Sequence, residues 1–465
     1  GFVDVDNKGL DGIEYRFDKL LSGREKGGIF DTDKELITGT SISLTIDRFI
    51  QYFSEKEIEK AVVKFRAKRG IAMVLEVKTG KLLAVANYPD FDPNYYWRYS
   101  DEERRNSAIV YSFEPGSTLK MIAVAHILES VPNILKRKLF CNGKIKIADT
   151  SLKCTGRHGS VDLYDIIKYS CNVGIIQAMN EVRKDKFYKT LREFGFGEKV
   201  GIQFPGESRG ILRPLIEWSG LSKYSISIGQ EISVSPLQLI AAIGAIANQG
   251  VYIIPSIVES IYREDGSIVQ SFYLKTRGQI IRGDTARTII RLMRGVVIGG
   301  TGKHASLEYY NAVGKTGTAQ KSKGRGGYYQ DKVNVSFIGI APYENPDICV
   351  LVMIDEPQLG NSGGEIAAPV FASIAHRVLL YRRVKLKRII AKDPIVREYR
   401  TRKFNGTTMP NFKGLLMSES IQMLVAIQKT ANIKYSFIGT GKVYKQLPIY
   451  GKAISKGQQI ILYLR

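Results

Sequence analysis

The chain has 465 residues, of which 44% are hydrophobic, a share typical of globular proteins with a buried core. Its 68 Lys and Arg against 45 Asp and Glu give a formal charge of +23, which favours polyanionic surroundings. No recognition-helix, zinc-finger or aromatic RNA-binding signature accompanies this charge, so nucleic acid is not expected as a partner. No stretch resembles a bilayer-spanning helix or a signal peptide, so the chain is expected to be soluble, as an ectodomain separated from its anchor.

The amino-terminal part predicts a lead-in, a helix and a hairpin. Residues 1–40 are rich in glycine and charge, which indicates an extended lead-in or the end of a preceding module. Residues 44–65 carry apolar side chains at helical spacing and predict a helix. Two apolar runs, Ile71–Val77 and Leu82–Ala86, are separated by Lys78-Thr79-Gly80-Lys81 and predict a hairpin at which a sheet begins.

Two further helices are predicted from longer apolar runs. The segment Thr118–Leu128 is mostly apolar, so this helix should be buried on most of its sides. The second has Ser235 as a candidate N-cap, Pro236 at its first position, an apolar run to Ala247 and Gly250 just past its end. These signals predict both ends of the second helix.

A second hairpin and the order of the elements indicate the fold class. The segments Val333–Ile340 and Ile348–Ile354 form another apolar pair around a turn that contains proline. Helices and hairpins in this order predict an α+β fold, in which an antiparallel sheet is flanked by helices.

The carboxy-terminal part differs in composition. Residues 386–407 are basic and predict a linker. Residues 408–465 predict a small α/β unit with a helix at Ser418–Lys429 and a terminal strand at Ile460–Leu464. A unit of fewer than about 60 residues without cysteine has a marginal core, so it is expected to bind or pack rather than to catalyse.

The four cysteines are too few for a disulfide scaffold, and none belongs to a CxxC pair. Cys141 and Cys154 flank one short segment and could form a disulfide in an oxidising compartment. With His158 they could instead bind a metal, but the spacing matches no standard zinc pattern. Free or disulfide-bonded structural cysteines are therefore expected, with no metal and no cofactor.

The first candidate for chemistry is Ser117-Thr118-Leu119-Lys120, at the start of the buried helix. Side chains three apart share one face of a helix, so the Lys120 amine can approach the Ser117 hydroxyl. In an apolar setting a lysine loses its charge more easily, and the neutral amine can take the proton of the serine. The motif alone is weak, because on the order of one or two such matches arise by chance in a chain of this length.

The second candidate is Ser170-Cys171-Asn172, which follows a helical stretch from Leu163. A serine and an asparagine two apart can both face a cleft, where the serine relays a proton and the asparagine holds a substrate amide. On its own the pattern is more often a cap or a turn. Cys171 is expected to point into the core, although a thiol beside a cleft could make the site sensitive to oxidation.

The third candidate is Lys315-Thr316-Gly317-Thr318, on a segment expected at the edge of a sheet. Its lysine and threonines offer a cation and hydroxyls to a carboxylate, and Gly317 lets a substrate backbone come close. A phosphate loop is excluded, because position 309 is Tyr where such a loop needs glycine. The other K-T-G, at Lys78-Thr79-Gly80, precedes Ser117 and is explained by a β-turn.

The three motifs occur together in the order S-x-x-K, S-x-N and K-T-G, a set found in penicillin-binding proteins and class A β-lactamases. Over roughly residues 1–380 the chain resembles the class B penicillin-binding proteins, which are monofunctional transpeptidases. Residues 409–465 resemble a PASTA repeat, with Pro410-Asn411-Phe412-Lys413-Gly414 at the start and Gly439-Thr440-Gly441 before a strand. Further segments that carry the resemblance include Gly9-Leu10-Asp11-Gly12, Phe113-Glu114-Pro115-Gly116, Ser227-Ile228-Gly229-Gln230, Gly300-Thr301-Gly302 and Asp355-Glu356-Pro357.

The resemblance implies a role for each motif. Ser117 would attack the penultimate D-Ala carbonyl of a peptidoglycan stem peptide, with Lys120 as its base. Ser170 and Asn172 would complete the proton network and hold the substrate. The terminal carboxylate would be bound by Lys315, Thr316 and Thr318, and the backbone N–H groups of Ser117 and Thr318 would form the oxyanion hole. A neighbouring stem peptide would then take the acyl group, and a β-lactam would acylate Ser117 and stay.

The resemblance also implies domain boundaries, a cellular location and partner proteins. Residues 1–40 would be the remnant of an N-terminal pedestal or dimerisation domain, 41–385 the transpeptidase domain, 386–407 a basic linker and 408–465 a PASTA-like domain. The protein would act at the outer face of the cytoplasmic membrane, held by an N-terminal anchor absent from this chain. A glycosyltransferase and division proteins would be its partners, since the PASTA-like tail favours septal division over elongation.

Two alternatives share these motifs. A D,D-carboxypeptidase or β-lactamase would use water instead of an amine as acceptor. A non-catalytic β-lactam sensor or wall-binding scaffold would be acylated without turnover, although intact Ser117, Lys120 and Lys315 favour an active enzyme. A turnover assay with a stem peptide separates these functions.

Overall fold

The structure, a computed structural model, describes residues 1–26, 35–147, 149–324, 327–386, 408–415, 417–439, 441 and 443–465. The chain divides into two compact units, residues 1–387 and residues 388–465. The predicted linker at 386–407 lies outside the described residues except for Leu386. Within the described ranges, none of the helices combines the length and the apolar character that crossing a bilayer requires.

A five-stranded antiparallel sheet forms the centre of the first unit. The strands lie in the spatial order β3-β4-β5-β1-β2, so β3 is an edge strand, as predicted for the K-T-G segment. Both predicted hairpins are present, and the second K-T-G is a turn in which Gly80 has a φ of +72°. The five strands are β1 (Arg69–Glu76), β2 (Leu82–Tyr88), β3 (Val313–Ser322), β4 (Tyr328–Ala341) and β5 (Ile348–Asp355).

Both faces of this sheet are buried. In β1, Ile71, Met73 and Leu75 belong to one apolar cluster, whereas Ala72 and Val74 belong to another. Successive side chains of a strand point to opposite faces, so the two clusters lie on the two sides of the sheet. This arrangement explains why the strands are continuous apolar runs in the sequence.

Helices cover both faces, which confirms the predicted α+β class. Helices α1 and α7 contribute to the cluster that contains Ala72 and Val74, and α2 and α5 contribute to the other. The principal helices are α1 (Arg48–Phe65), α2 (Lys120–Ser130), α3 (Leu163–Lys168), α4 (Asn172–Ala178), α5 (Pro236–Ala247), α6 (Gly283–Gly299) and α7 (Gly363–Tyr381).

The remaining elements of this unit are mostly short. Helices lie at Gly12–Arg16, Asp18–Leu21, Asp101–Arg104, Ser107–Val110, Lys184–Glu193 and Ser222–Ser227. Strands lie at Phe2–Val3, Gly9–Asp11, Arg24–Lys26, Glu35–Ile37, Ser41–Leu44, Leu139–Cys141, Lys144–Ile147, Thr150–Lys153, Gly159–Val161, Val251–Ile254, Val258–Tyr262, Ile268–Ser271 and Lys275–Gln279. Single 3-10 turns lie at Pro93–Arg98, Gly116–Leu119, Ile134–Lys136, Met179–Glu181, Leu215–Glu217 and Lys303–Ala305.

The start of α1 differs from the prediction of a helix over residues 44–65. The Asp47 carboxylate accepts hydrogen bonds from the backbone N–H groups of Phe49 and Ile50, at 2.9 and 3.1 Å, and so caps the helix at this point. The preceding segment Ser41–Leu44 is instead a strand that pairs with Val258–Tyr262. A side-chain cap and a distant strand therefore set this boundary.

The ends of α5 agree with the predicted signals. The Ser235 hydroxyl accepts from the backbone N–H of Gln238 at 3.1 Å, and the Gln238 side chain accepts from the backbone N–H of Ser235 at 2.9 Å. This reciprocal pair is a capping box. Gly250, past the end, has a φ of +90°.

In its described residues, the second unit has one helix and a three-stranded sheet. Strand β8 lies between β6, to which it is parallel, and β7, to which it is antiparallel. Leu424 and Ile427 of the helix are buried, whereas Ile421 and Val425 are 36% and 38% exposed. The elements are α8 (Met417–Ala431), β6 (Lys434–Ile438), β7 (Val443–Leu447) and β8 (Gln459–Leu464), which confirms the predicted helix and terminal strand.

Candidate active site

Ser117 lies in the 3-10 turn Gly116–Leu119, and the α-helix itself begins at Lys120, two residues later than predicted. Gly116 has a φ of +54°, and a Cβ on it would lie 2.8 Å from the carbonyl oxygen of Thr318. Strand β3 therefore passes close to the backbone of the turn. This packing places the S-x-x-K and K-T-G motifs side by side.

A second glycine supports the turn from another direction. The backbone N–H of Gly116 donates to the carbonyl oxygen of Gly229 at 3.1 Å. Gly229 has a φ of +83°, and a Cβ on it would overlap the carbonyl of Gly116. Because neither residue has a side chain, the two backbone segments can come into direct contact next to Ser117.

Lys120 is fully buried, and its amine lies among polar atoms of the other motifs. Its Nζ is 3.0 Å from Ser117 Oγ, 2.7 Å from the carbonyl oxygen of Ser170 and 2.6 Å from Asn172 Oδ1. Burial lowers the pKa of Lys120 to about 8, although nearby Cys154 and Cys171 act in the opposite direction. At pH 7 about a tenth of the amine is therefore neutral, far more than for a lysine with its usual pKa.

The partners of Lys120 fit a neutral amine. A neutral amine has two N–H donors and one lone pair, whereas an ammonium has three donors and no lone pair. The Ser170 carbonyl and Asn172 Oδ1 only accept, so they take the two donors. The lone pair is then left to accept a hydroxyl proton from Ser117 or Ser170, whose Oγ atoms lie 3.0 and 3.1 Å away, as a general base next to a nucleophile requires.

Ser170 lies between two buried lysines. Its Oγ is 3.1 Å from Lys120 Nζ and 2.9 Å from Lys315 Nζ. Burial lowers the pKa of Lys315 well below its usual value, and the charge of Lys120 lowers it further. Lys315 Nζ also lies 3.1 Å from the carbonyl oxygen of Thr316 and 3.4 Å from its Oγ1. A hydroxyl that contacts both amines can pass a proton between them.

The turn after α3 gives Ser170 this position. Ser170 has a φ of +58°, in the left-handed region, and the helix α4 starts at Asn172. The Asn172 Nδ2 group donates to the carbonyl oxygen of Lys153 at 3.0 Å, so its Oδ1 is held towards Lys120. The turn directs both side chains towards the Lys120 amine.

Strand β3 brings the residues of the third motif next to the other two motifs. Thr316 is buried and Thr318 is exposed. Gly317 has a packing role in addition to the one predicted, because a Cβ there would overlap Ser336 and lie 3.0 Å from Thr118 Cγ2. Among the residues that the structure describes, no strand pairs with the outer side of β3, so an extended peptide can pair with this edge.

One residue at the site, Thr301, was not among the predicted site residues. Thr301 Oγ1 lies 2.8 Å from Thr316 Oγ1, and either hydroxyl can be the donor. Thr301 belongs to the segment Gly300-Thr301-Gly302, which carries part of the family resemblance. Nothing in its position in the sequence links it to β3. The threonine becomes visible as a site residue only through the tertiary contact.

The predicted site residues therefore lie close together in space. The arrangement combines a serine hydroxyl, a buried amine beside it that can be neutral, a hydroxyl that can relay a proton and a second buried amine next to an edge strand. These groups can activate a nucleophile for acyl transfer and hold an anionic extended substrate.

Comparisons with known proteins show the family to which the chain belongs. Residues 70–376 match the family model of the penicillin binding protein transpeptidase domain, and residues 407–465 match that of the PASTA domain. The chain is 34% identical to stage V sporulation protein D of Bacillus subtilis, over 100% of this chain and 73% of that protein. It is 30% identical to the peptidoglycan D,D-transpeptidase FtsI of Escherichia coli, over 82% of this chain and 64% of that protein.

Solved structures show the same fold. Penicillin-binding protein 3 of Mycobacterium tuberculosis has a TM-score of 0.77 and 32% identity, over 83% of this chain and 89% of that chain. The same protein has been solved in complex with aztreonam and with ampicillin. The chain therefore belongs to the class B penicillin-binding proteins, with a transpeptidase domain followed by a PASTA domain.

Proposed function

We propose that this protein is a peptidoglycan D,D-transpeptidase that cross-links stem peptides through an acyl-enzyme on Ser117. The observation that carries the proposal is the fully buried Lys120 amine, 3.0 Å from Ser117 Oγ and with a pKa lowered to about 8. Relatives with the same family domain bear the name peptidoglycan D,D-transpeptidase. The substrate is a stem peptide that ends in D-Ala-D-Ala.

In the acylation step, Lys120 accepts the hydroxyl proton of Ser117 as Oγ attacks the penultimate D-Ala carbonyl. A bond forms between Oγ and the carbonyl carbon, and the peptide C–N bond breaks. The proton passes from Lys120, through Ser170 Oγ, to the leaving nitrogen of the terminal D-Ala. Ser170 suits this relay because its hydroxyl contacts both lysines.

Binding of the substrate uses the edge of the sheet. The stem peptide extends along β3, where Lys315, Thr316 and Thr318 bind its terminal carboxylate. The backbone N–H groups of Ser117 and Thr318 stabilise the oxyanion. The carbonyl of Thr318 already packs against Gly116, so both N–H donors belong to backbone segments that hold each other in place.

In the second step, an amine of a neighbouring stem peptide attacks the ester carbonyl. Lys120 accepts a proton from that amine, the new amide bond forms, and Ser117 leaves with the proton returned to its oxygen. The enzyme acts at the outer face of the cytoplasmic membrane in septal wall synthesis, together with a glycosyltransferase and division proteins. The PASTA domain supports the septal role.

The decisive experiment is incubation with a fluorescent penicillin, followed by mapping of the adduct by mass spectrometry. A stable adduct on Ser117 is expected, and Ser117→Ala should carry none. Synthetic stem peptides with an added amine acceptor should then give the cross-linked product. Absence of an adduct in folded protein would contradict the proposal, and rapid loss of the adduct would indicate a β-lactamase instead.

Substitution Gly229→Ala tests the backbone support under Ser117. A left-handed backbone costs a residue with a side chain roughly 1–2 kcal/mol, and the added methyl group would also overlap Gly116. We expect a lower melting temperature and penicillin acylation slowed by about 10- to 100-fold, because small displacements of reacting atoms are costly. Gly220→Ala is the matched control, since a Cβ at Gly220 meets no atom within 4 Å. Equal acylation rates in the two variants would show that this support is not needed.

A further inference from the structure

Four side chains with metal-binding atoms meet next to the active site. Cys141 ends one strand, Cys154 follows another, His158 precedes a third and Cys171 lies in the turn before α4. The three Sγ atoms and a ring nitrogen of His158 all lie within 4.8 Å of one another. Cys141 and Cys171 are buried, and the other two are partly accessible.

We propose that these four side chains form a structural zinc site. Zinc bonds of about 2.3 Å to sulfur and about 2.0–2.1 Å to nitrogen, in a tetrahedron, place two sulfurs about 3.8 Å apart and a sulfur and a nitrogen about 3.6 Å apart. Cys154 Sγ is 3.7 Å from Cys171 Sγ. His158 Nδ1 is 3.5 Å from the Sγ atoms of both Cys141 and Cys154. The three distances match the edges of such a tetrahedron.

A disulfide fits the arrangement less well. Two bonded sulfurs are about 2.0 Å apart, well short of the distance between Cys154 and Cys171, and all four cysteines of the chain are free in the structure. A disulfide would also leave the third thiol and the imidazole at the same spot without a function. Three thiolates and one imidazole form a closed ligand set of the kind found in structural zinc sites.

Backbone N–H groups point at two of the three sulfurs. The backbone N–H of Asn172 donates to Cys154 Sγ and that of Gly174 donates to Cys171 Sγ, each at 3.2 Å. Donors of this kind orient metal ligands and stabilise negative charge on sulfur. The His158 ring stacks on Tyr169 with an interplanar angle of 14°, which fixes its orientation towards the sulfurs.

The site would support the proton network without taking part in the chemistry. Cys171 stands between Ser170 and Asn172, so a metal bond to it anchors the turn that carries both residues. Cys141, Cys154 and His158 belong to the neighbouring strands and loops. Zinc would thereby fasten the S-x-N turn to these segments, and its loss should displace both polar side chains from Lys120. The metal would therefore position Ser170 and Asn172 without contacting the substrate.

The test begins with the metal content of the full chain, purified without chelator, reductant or an immobilised-metal column. Plasma mass spectrometry should find about one zinc per chain, consistent with a closed set of four ligands. Cys154→Ala should lose the metal. Cys349→Ala is the matched control, since Cys349 is equally a free cysteine but lies in β5 in the core, and it should keep the zinc.

A second measurement does not depend on how the variants fold. Wild-type protein in which cobalt replaces zinc should show the visible and thiolate charge-transfer absorption of a tetrahedral cobalt site. Fluorescent penicillin labelling of the metal-free wild type should slow by at least about tenfold and recover with added zinc. Wild-type protein without zinc that fails to take up zinc or cobalt, or that shows a disulfide among Cys141, Cys154 and Cys171 on peptide mapping, would overturn the proposal.

Discussion

Replacement of Lys120 by arginine is expected to slow acylation of Ser117 by about 10²- to 10⁴-fold, the contribution typical of a positioned general base. The guanidinium keeps the positive charge but does not deprotonate in proteins, so it cannot accept the serine proton. Lys120 can do so because burial lowers its pKa to about 8. The rate of adduct formation with a fluorescent penicillin measures the effect.

The wild-type enzyme should show the matching pH dependence. Below the pKa of Lys120, the neutral fraction rises about tenfold for each pH unit, so acylation should accelerate with pH and level off above about 8. The rise should vanish in Lys120→Arg. Lys189→Arg, on an exposed helix with the lysine side chain 73% accessible, serves as the control and should retain both rate and profile. A Lys120→Arg variant as fast as wild type would remove Lys120 from the role of base.

Replacement of Lys315 by methionine is expected to lower kcat/KM for a D-Ala-D-Ala stem peptide by about 30- to 5,000-fold. Loss of one partner of a buried charge pair costs about 2–5 kcal/mol, because the other charge is left without compensation. Here the remaining charge is the terminal carboxylate of the peptide. Lys315 is fully buried, and its Nζ lies 2.9 Å from Ser170 Oγ. A lysine or arginine on the protein surface therefore cannot easily take its place beside the substrate carboxylate.

A second substrate separates carboxylate binding from general damage to the site. Wild-type enzyme should strongly prefer the free carboxylate over the corresponding carboxamide, and Lys315→Met should lose most of this preference. Equal discrimination by both proteins would show that Lys315 does not bind the carboxylate. Lys323→Met, an exposed lysine just past β3, is the control. The melting temperature of Lys315→Met should not fall, because the lost ammonium is buried and unfavourable there.

The fold could be predicted largely from local patterns. The continuous apolar runs of β1, β2, β4 and β5 mark strands buried on both faces, and the apolar run with caps at Ser235 and Gly250 marks α5. Where the start of a helix or strand depends on residues far away in the sequence, the local pattern did not predict it. The strand Ser41–Leu44 has no local signal, because its partner lies more than 200 residues away at Val258–Tyr262.

The sequence by itself determined which residues are candidates for the chemistry, since S-x-x-K, S-x-N and K-T-G in this order predict a nucleophile, its base and a lysine that binds a carboxylate. Only the tertiary structure decided how they interact. It placed the Ser170 hydroxyl between two lysines and brought Cys171 beside Cys154, whereas the sequence spacing of Cys141, Cys154 and His158 had favoured no metal. The physical reason is that hydrogen bonds and metal bonds depend on distances of a few ångströms in space, which sequence separation does not encode.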